Sequence, residues 1–124
     1  MNRHGTSARL VATGAVLAAV AVGLGAFGAH ALKARFDAEA LGWWQTAVGY
    51  LLPHAVAVTA IGLAARPRLA LPAWLLAGGS ALFAATLFAM ALGAPRWLGA
   101  VTPLGGTAMI AGWLLLAWRA LREE

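Results

Sequence analysis

Cysteine is absent from this sequence and charged residues are scarce. None of the 124 residues is cysteine, which excludes a disulfide framework and a thiolate metal site. Charged residues make up 10% of the chain and hydrophobic residues 62%, whereas an ordinary soluble domain carries about 25% charge. The composition therefore excludes a soluble globular domain and indicates an integral membrane protein.

Acidic residues are especially few, with four in the whole chain. Asp37 and Glu39 are two positions apart, a spacing that puts their carboxylates on different faces of a helix. Ser7 and Ser80 have no base nearby in the sequence, so a catalytic nucleophile is not indicated. We therefore expect no enzymatic activity and no cofactor.

The remaining sequence consists mainly of four long apolar runs separated by short breaks. Because a membrane-spanning helix needs about 20 apolar residues, these runs predict spans at residues 10–32, 46–65, 71–92 and 99–118. The polar connector at 33–45 carries charges and aromatic residues at helical intervals, which predicts a short interfacial helix between the first two spans. The predicted fold is an all-α integral membrane protein, a single domain with a four-transmembrane-helix bundle.

The basic residues predict the orientation in the membrane. They occur in ones and twos at the ends of apolar runs, a distribution that does not indicate nucleic-acid binding. Six arginines fall on the side of the termini and three basic residues on the other side. Because Lys and Arg accumulate on the cytoplasmic side, both termini are expected to be cytoplasmic.

Small residues predict how the helices pack. Gly14, Gly25 and Gly28 share one side of the first span, and Gly105 and Gly112 form a similar stripe on the fourth. Because glycine has no side chain, helix backbones can approach each other closely at these positions inside lipid. We expect these glycines to lie at helix-helix contacts.

Two histidines stand out because they lie in otherwise apolar sequence. His30 lies two residues before the end of the first run, and His54 lies within the second. An ionisable side chain in a span is costly and usually faces the protein interior. If both lie toward the same membrane face, His30 and His54 could share a polar layer with Tyr50, Thr86 and Thr102.

Three interpretations of this layer compete. The histidines could pin neighbouring helices by hydrogen bonds, or they could form a proton relay or part of a small-solute path. A third hypothesis is a site for a soft copper ion made by His30, His54, Met90 and Met109, since imidazole and thioether ligands suit that metal. The sequence contains no closely spaced ligand residues of the kind that form metal sites, so we do not expect a metal site.

Three motifs occur in order along the chain: GAFGAHALK at 25–33, WWQTAVGY followed by His54, and RWLGAVTPLGG followed by GW at 112–113. Together they resemble the YgdD/transmembrane protein 256 family, a four-span membrane family catalogued as domain of unknown function 423. The resemblance implies a multi-pass protein of the bacterial inner membrane with no assigned reaction. It also implies that His30 and His54 match recurrent family positions.

The functional expectation follows from small size, many packing residues and few catalytic groups. We expect a non-enzymatic accessory or structural subunit that packs in the lipid bilayer with itself, as a homo-oligomer, or with a larger membrane complex. The alternative is a small transporter or channel-like protein for protons, metal or a small solute, which would use the layer of His30 and His54.

Overall fold

The computed structural model describes residues 3–122, without the side chains of Arg3, His4 and Ala29. Its four long helices are α1 (Arg3–Phe27), α2 (Ala38–Ala64), α3 (Ala70–Ala91) and α4 (Thr102–Arg122). A π-helical turn, Gly28–Leu32, continues α1, and the 3₁₀ turns Pro67–Leu69 and Arg96–Ala100 precede α3 and α4. With these turns included, all four helices are long and apolar enough to cross a membrane by length and composition.

The second helix begins earlier than the sequence predicted. Asp37 is extended, and its carboxylate accepts a hydrogen bond from the backbone amide of Ala40 at 2.7 Å, as an N-cap residue does. From Ala38 the helix runs unbroken to Ala64, so residues 38–45 are its first two turns. The expected separate interfacial helix is therefore corrected to an extension of the second span.

The third helix is the centre of the bundle. Extensive contacts join α1 to α2, α2 to α3 and α3 to α4, and α1 also reaches α3. Half of the most apolar stretch of α3 is buried (50%), against 17% for α1 and 22% for α4. Within residues 3–122, α1 and α4 make no comparably extensive contact with each other. The bundle is therefore open, with α1 and α4 on its flanks.

The contact between α3 and α4 is a contact of backbones. A Cβ atom built on Gly105 would lie 2.6 Å from the carbonyl oxygen of Gly79 and 2.6 Å from the amide nitrogen of Phe83. The reverse is also true, because a Cβ on Gly79 would lie 2.8 Å from the oxygen of Gly105. Farther along α4, a Cβ on Gly112 would meet the Leu76 side chain at 2.9 Å. These distances leave no room for a larger residue.

Glycines also bring the backbones of α1 and α2 close together. A Cβ on Gly14 would lie 2.2 Å from Oγ1 of Thr59, whose hydroxyl donates to the carbonyl of Ala55. A Cβ on Gly62 would lie 2.8 Å from the amide nitrogen of Val11. Ala21 of α1 and Ala47 and Ala55 of α2 are fully buried, and Ala21 and Ala47 belong to a core cluster that also includes Ala84 of α3.

Charged and aromatic side chains fasten the ends of the bundle. Arg96, in the turn before α4, forms an ion pair with Glu39 of α2, and its guanidinium lies 5.4 Å from the ring centre of Trp43. At the opposite end, Arg119 donates to the backbone carbonyl of Arg68 at 3.0 Å. Each end thus carries a contact between residues more than 50 positions apart in sequence.

The close approach of Gly79 and Gly105 generates a matched pair of variants. Gly105→Ala should lower the free energy of unfolding by about 1–3 kcal/mol, the usual cost of overpacking. The neighbouring Gly106→Ala should be neutral or stabilising by up to about 1 kcal/mol, because Ala favours helix over Gly. A Cβ at Gly106 meets only the Phe83 ring, at 3.9 Å.

Denaturation in mixed detergent micelles, followed by circular dichroism, measures both variants. Equal stability of the two proteins would contradict the backbone contact between α3 and α4.

Candidate functional site

His54 uses both of its ring nitrogens. The indole Nε1 of Trp113 donates to Nε2 of His54 at 3.0 Å, and Nδ1 of His54 lies 2.7 Å from the carbonyl oxygen of Tyr50. An indole N–H can only donate, so Nε2 is the acceptor and carries no proton. Nδ1 then carries the hydrogen and donates to Tyr50. The histidine is held as one neutral tautomer that links α2 to α4.

Pro53 sits immediately before this histidine, inside α2. Because proline has no amide hydrogen, the carbonyl one turn earlier, that of Gly49, loses its intrahelical donor. The bond from the His54 ring to the Tyr50 carbonyl lies in this same turn and adds a side-chain donor there. The local backbone and the imidazole are therefore fixed together.

An aromatic groove surrounds the imidazole. The ring centre of Trp113 lies 5.7 Å from His54, and Tyr50 stacks on the imidazole at 6.4 Å while contacting Phe83 at 4.7 Å. The groove has a volume of about 330 Å³, and its remaining lining comes from α4, including Met109. Tyr50 and Trp113 are about half exposed (48% and 43%), so the groove opens at the side of the helices.

Thr86 and Thr102 form a separate polar pair between α3 and α4. Their hydroxyl oxygens are 2.7 Å apart and both residues are buried. The Thr86 hydroxyl can also donate to the carbonyl of Phe83, and that of Thr102 to the carbonyl of Leu98. Each hydroxyl thus has partners without involving a histidine.

The structure does not bring His30 and His54 together. His30 lies exposed in the π-helical turn, and within the described part of the chain its side chain makes no hydrogen bond or ring contact. Because α2 begins at Ala38 rather than near Thr46, His54 lies about 24 Å along its helix at 1.5 Å per residue. A helix that began at residue 46, as the apolar run predicts, would place it about 12 Å along. His30 stays near the end where α2 starts, so a layer shared by both histidines is corrected to two separate positions.

The two methionines of the hypothetical copper site also lie in different parts of the bundle. Met109 lines the groove beside His54, whereas Met90 is buried in another cluster, with Ala84 and Leu87. Among residues 3–122, no three His, Cys, Asp or Glu side chains are grouped so that they could hold a metal ion. The geometry therefore offers no set of four converging ligands.

Trp113 and Trp44 are hydrogen-bond donors that the sequence did not predict. The indole of Trp44 donates to the carbonyl of Leu24 at 2.8 Å, and a Cβ on Gly28 would lie 2.1 Å from that indole nitrogen. Gly28 thus makes room for a bond between α2 and α1. The available signal for Trp113 was its position, since the other tryptophans fall near span ends and this one lies inside α4.

Comparison with known proteins finds one family over most of the chain. The family described as "Protein of unknown function (DUF423)" matches residues 24–106. A UPF0382 membrane protein of Staphylococcus saprophyticus is 40% identical over 106 residues, which cover 83% of this chain and 88% of the relative. YwdK of Bacillus subtilis, also a UPF0382 membrane protein, is 38% identical over 88% of this chain and 93% of its own.

The UPF0382 inner membrane protein YgdD of Escherichia coli is 35% identical over 123 residues, which cover 94% of this chain and 92% of the relative. No solved structure matches the chain. The relatives and the four apolar helices confirm the expected resemblance and the expected location, a multi-pass protein of the inner membrane.

The geometry of His54 generates a test with two readouts. Trp113→Phe removes the donor to Nε2 and should lower the free energy of unfolding by about 0.5–1.5 kcal/mol, the net value of one hydrogen bond. In ¹⁵N NMR spectra of labelled histidine, wild-type His54 should be protonated at Nδ1 alone. The variant should keep this tautomer, because the Tyr50 carbonyl still accepts from Nδ1, but its Nε2 signal should shift because the indole donor is lost.

Trp118→Phe is the control, because the Trp118 ring contacts the Arg122 guanidinium and, within residues 3–122, has no hydrogen bond. A wild-type His54 protonated at Nε2 would refute the assigned geometry.

Proposed function

This chain belongs to the DUF423 family of UPF0382 membrane proteins, and we propose that it is a non-enzymatic accessory or structural subunit of the inner membrane. It packs with copies of itself or with a larger membrane complex. The observation that carries this proposal is a face of α2 that is rich in small residues and covered by no other part of residues 3–122.

The uncovered face of α2 is formed by Gly42, Thr46 and Pro53, with Gly49 at its edge, where it also lines a groove against α1; all four are exposed. Their spacing of three or four residues places them on one side of the helix. A Cβ on Gly42 or Gly49 would meet no atom within 4 Å. In membranes, small and hydroxyl-bearing faces are typical of contacts between helices, so this face suits the backbone of another span.

The histidines lend more support to this role than to transport. Both ring nitrogens of His54 already make hydrogen bonds, to Trp113 and to Tyr50, which favours a role in holding α2 and α4 together. A relay would need His54 to release one of these bonds and to find a proton partner other than His30. Transport of protons, metal or a small solute therefore remains the less supported candidate.

The association proposal is tested by the mass of the purified protein in mild detergent. Wild type should run as an oligomer or copurify with a fixed partner, and the double variant Gly42→Leu/Thr46→Leu should be monomeric, because leucine side chains keep the backbones apart. Gly78→Leu is the matched control, since Gly78 is exposed on α3 and nothing lies within 4 Å of its Cβ position. A wild-type monomer that copurifies with nothing would overturn the proposal.

We also propose that both termini are cytoplasmic, following the distribution of basic residues. The chain has no native cysteine, so any labelling of a single-cysteine variant comes from the introduced residue. In intact spheroplasts an impermeant maleimide should label Ala34→Cys, in the α1–α2 connection, but should label Arg68→Cys, in the α2–α3 connection, only after permeabilisation. The opposite labelling pattern would invert the orientation.

A further inference from the structure

We propose that the groove between α1 and α2 is a binding site for an anionic phospholipid. This groove, called here the α1–α2 groove, has a volume of about 310 Å³ and lies at the end of the bundle where the two helices are connected. It is distinct from the aromatic groove at His54, with which it shares no lining residue.

The floor of the α1–α2 groove is made of glycine backbone. Gly25 and Gly28 contribute from α1, and Gly49 contributes from α2 beside Val48. A Cβ on Gly25 would lie 3.1 Å from the Val48 side chain, whereas one on Gly49 would meet nothing within 4 Å. From Gly25 to Lys33 the groove extends about 12 Å along the helix axis, a shape that suits part of an extended acyl chain.

One wall of the groove is a fixed aromatic ring. Trp44 is 3% exposed, donates to the Leu24 carbonyl and packs against Phe88 and Phe36, with ring centres 4.6 and 5.6 Å away. Its indole occupies the space left by the missing side chain of Gly28. The wall is therefore built into the fold, and tryptophan is typical of the headgroup level of a membrane.

The mouth of the groove carries positive charge and an amide. Lys33 and Gln45 line it, and within the described residues neither side chain makes a hydrogen bond or an ion pair. The carboxylates of this end are already used, since Asp37 caps α2 and Glu39 pairs with Arg96. A lipid phosphate is the complementary group, because an ammonium and an amide both donate to its oxygens.

Most lining residues lie in two of the three sequence motifs. Apart from Leu41, every residue of the groove lies in the motif at 25–33 or in the motif at 43–50. All of them fall within residues 24–106, the part that matches the family. The groove is thus a feature of the shared part of the chain, and bilayer lipid is the solvent that faces it.

Native mass spectrometry of the delipidated, detergent-purified full chain tests the proposal. Titration with dioleoyl phosphatidylglycerol should show one tightly retained lipid, bound about fivefold more strongly than dioleoyl phosphatidylcholine, as one lysine near anionic lipid predicts. Lys33→Gln should abolish that preference, and Gly49→Leu should block retention of both lipids by filling the groove. Inorganic phosphate at the same concentration should not displace the lipid.

Two control variants separate a specific site from general attraction. Arg68→Gln removes an exposed cation at the opposite end, and Gly78→Leu enlarges an exposed glycine outside the groove; both should retain the lipid as wild type does. Equal retention of the two lipids, an unchanged preference in Lys33→Gln, displacement by phosphate, or equal loss in Arg68→Gln would each overturn the proposal.

Effects of a variant on folding or on association can be distinguished from an effect on lipid binding. Lys33 is exposed, so Lys33→Gln should fold as wild type does. It therefore tests the lipid preference even if Gly49→Leu fails to fold. The same spectra report the number of protein copies, so loss of lipid and loss of association are read separately.

Discussion

The structure depends on how closely helix backbones can approach each other. Lipid is as apolar as the side chains of the spans, so helices associate through packing and hydrogen bonds rather than through the hydrophobic effect between them. Gly79 and Gly105 place α3 and α4 in backbone contact, and Gly14 does the same for α1 and α2 beside Thr59. The fully buried alanines between the helices follow from that spacing.

Hydrogen bonds from large side chains add specificity to this close packing. Trp44 reaches α1 through the space of Gly28, and Trp113 reaches His54 across helices that have few other contacts. Both indoles find acceptors on a neighbouring helix, and in lipid an unpaired polar group would be costly. Small residues thus set the distances between helices, while two tryptophans fix how the helices are rotated and aligned.

The apolar runs were enough to predict four helices, because charge and proline mark their ends. The start of α2 was misplaced because the charges at 33–45 resemble an interface, although Asp37 was available as an N-cap signal. That shift separates His54 from His30. The partner of His54 could not be predicted, because the contact with Trp113 joins residues 59 positions apart, and no periodicity within one helix contains that information.

The order of contacts in the bundle also bears on how the protein is made. Each helix packs mainly against the one synthesised just before it, so its principal partner is already in the membrane when it emerges. Local contacts of this kind favour rapid assembly. The bond from Arg119 to the Arg68 carbonyl and the bond from Trp113 to His54 form only when α4 arrives, so the last helix to be inserted completes the alignment of the first three.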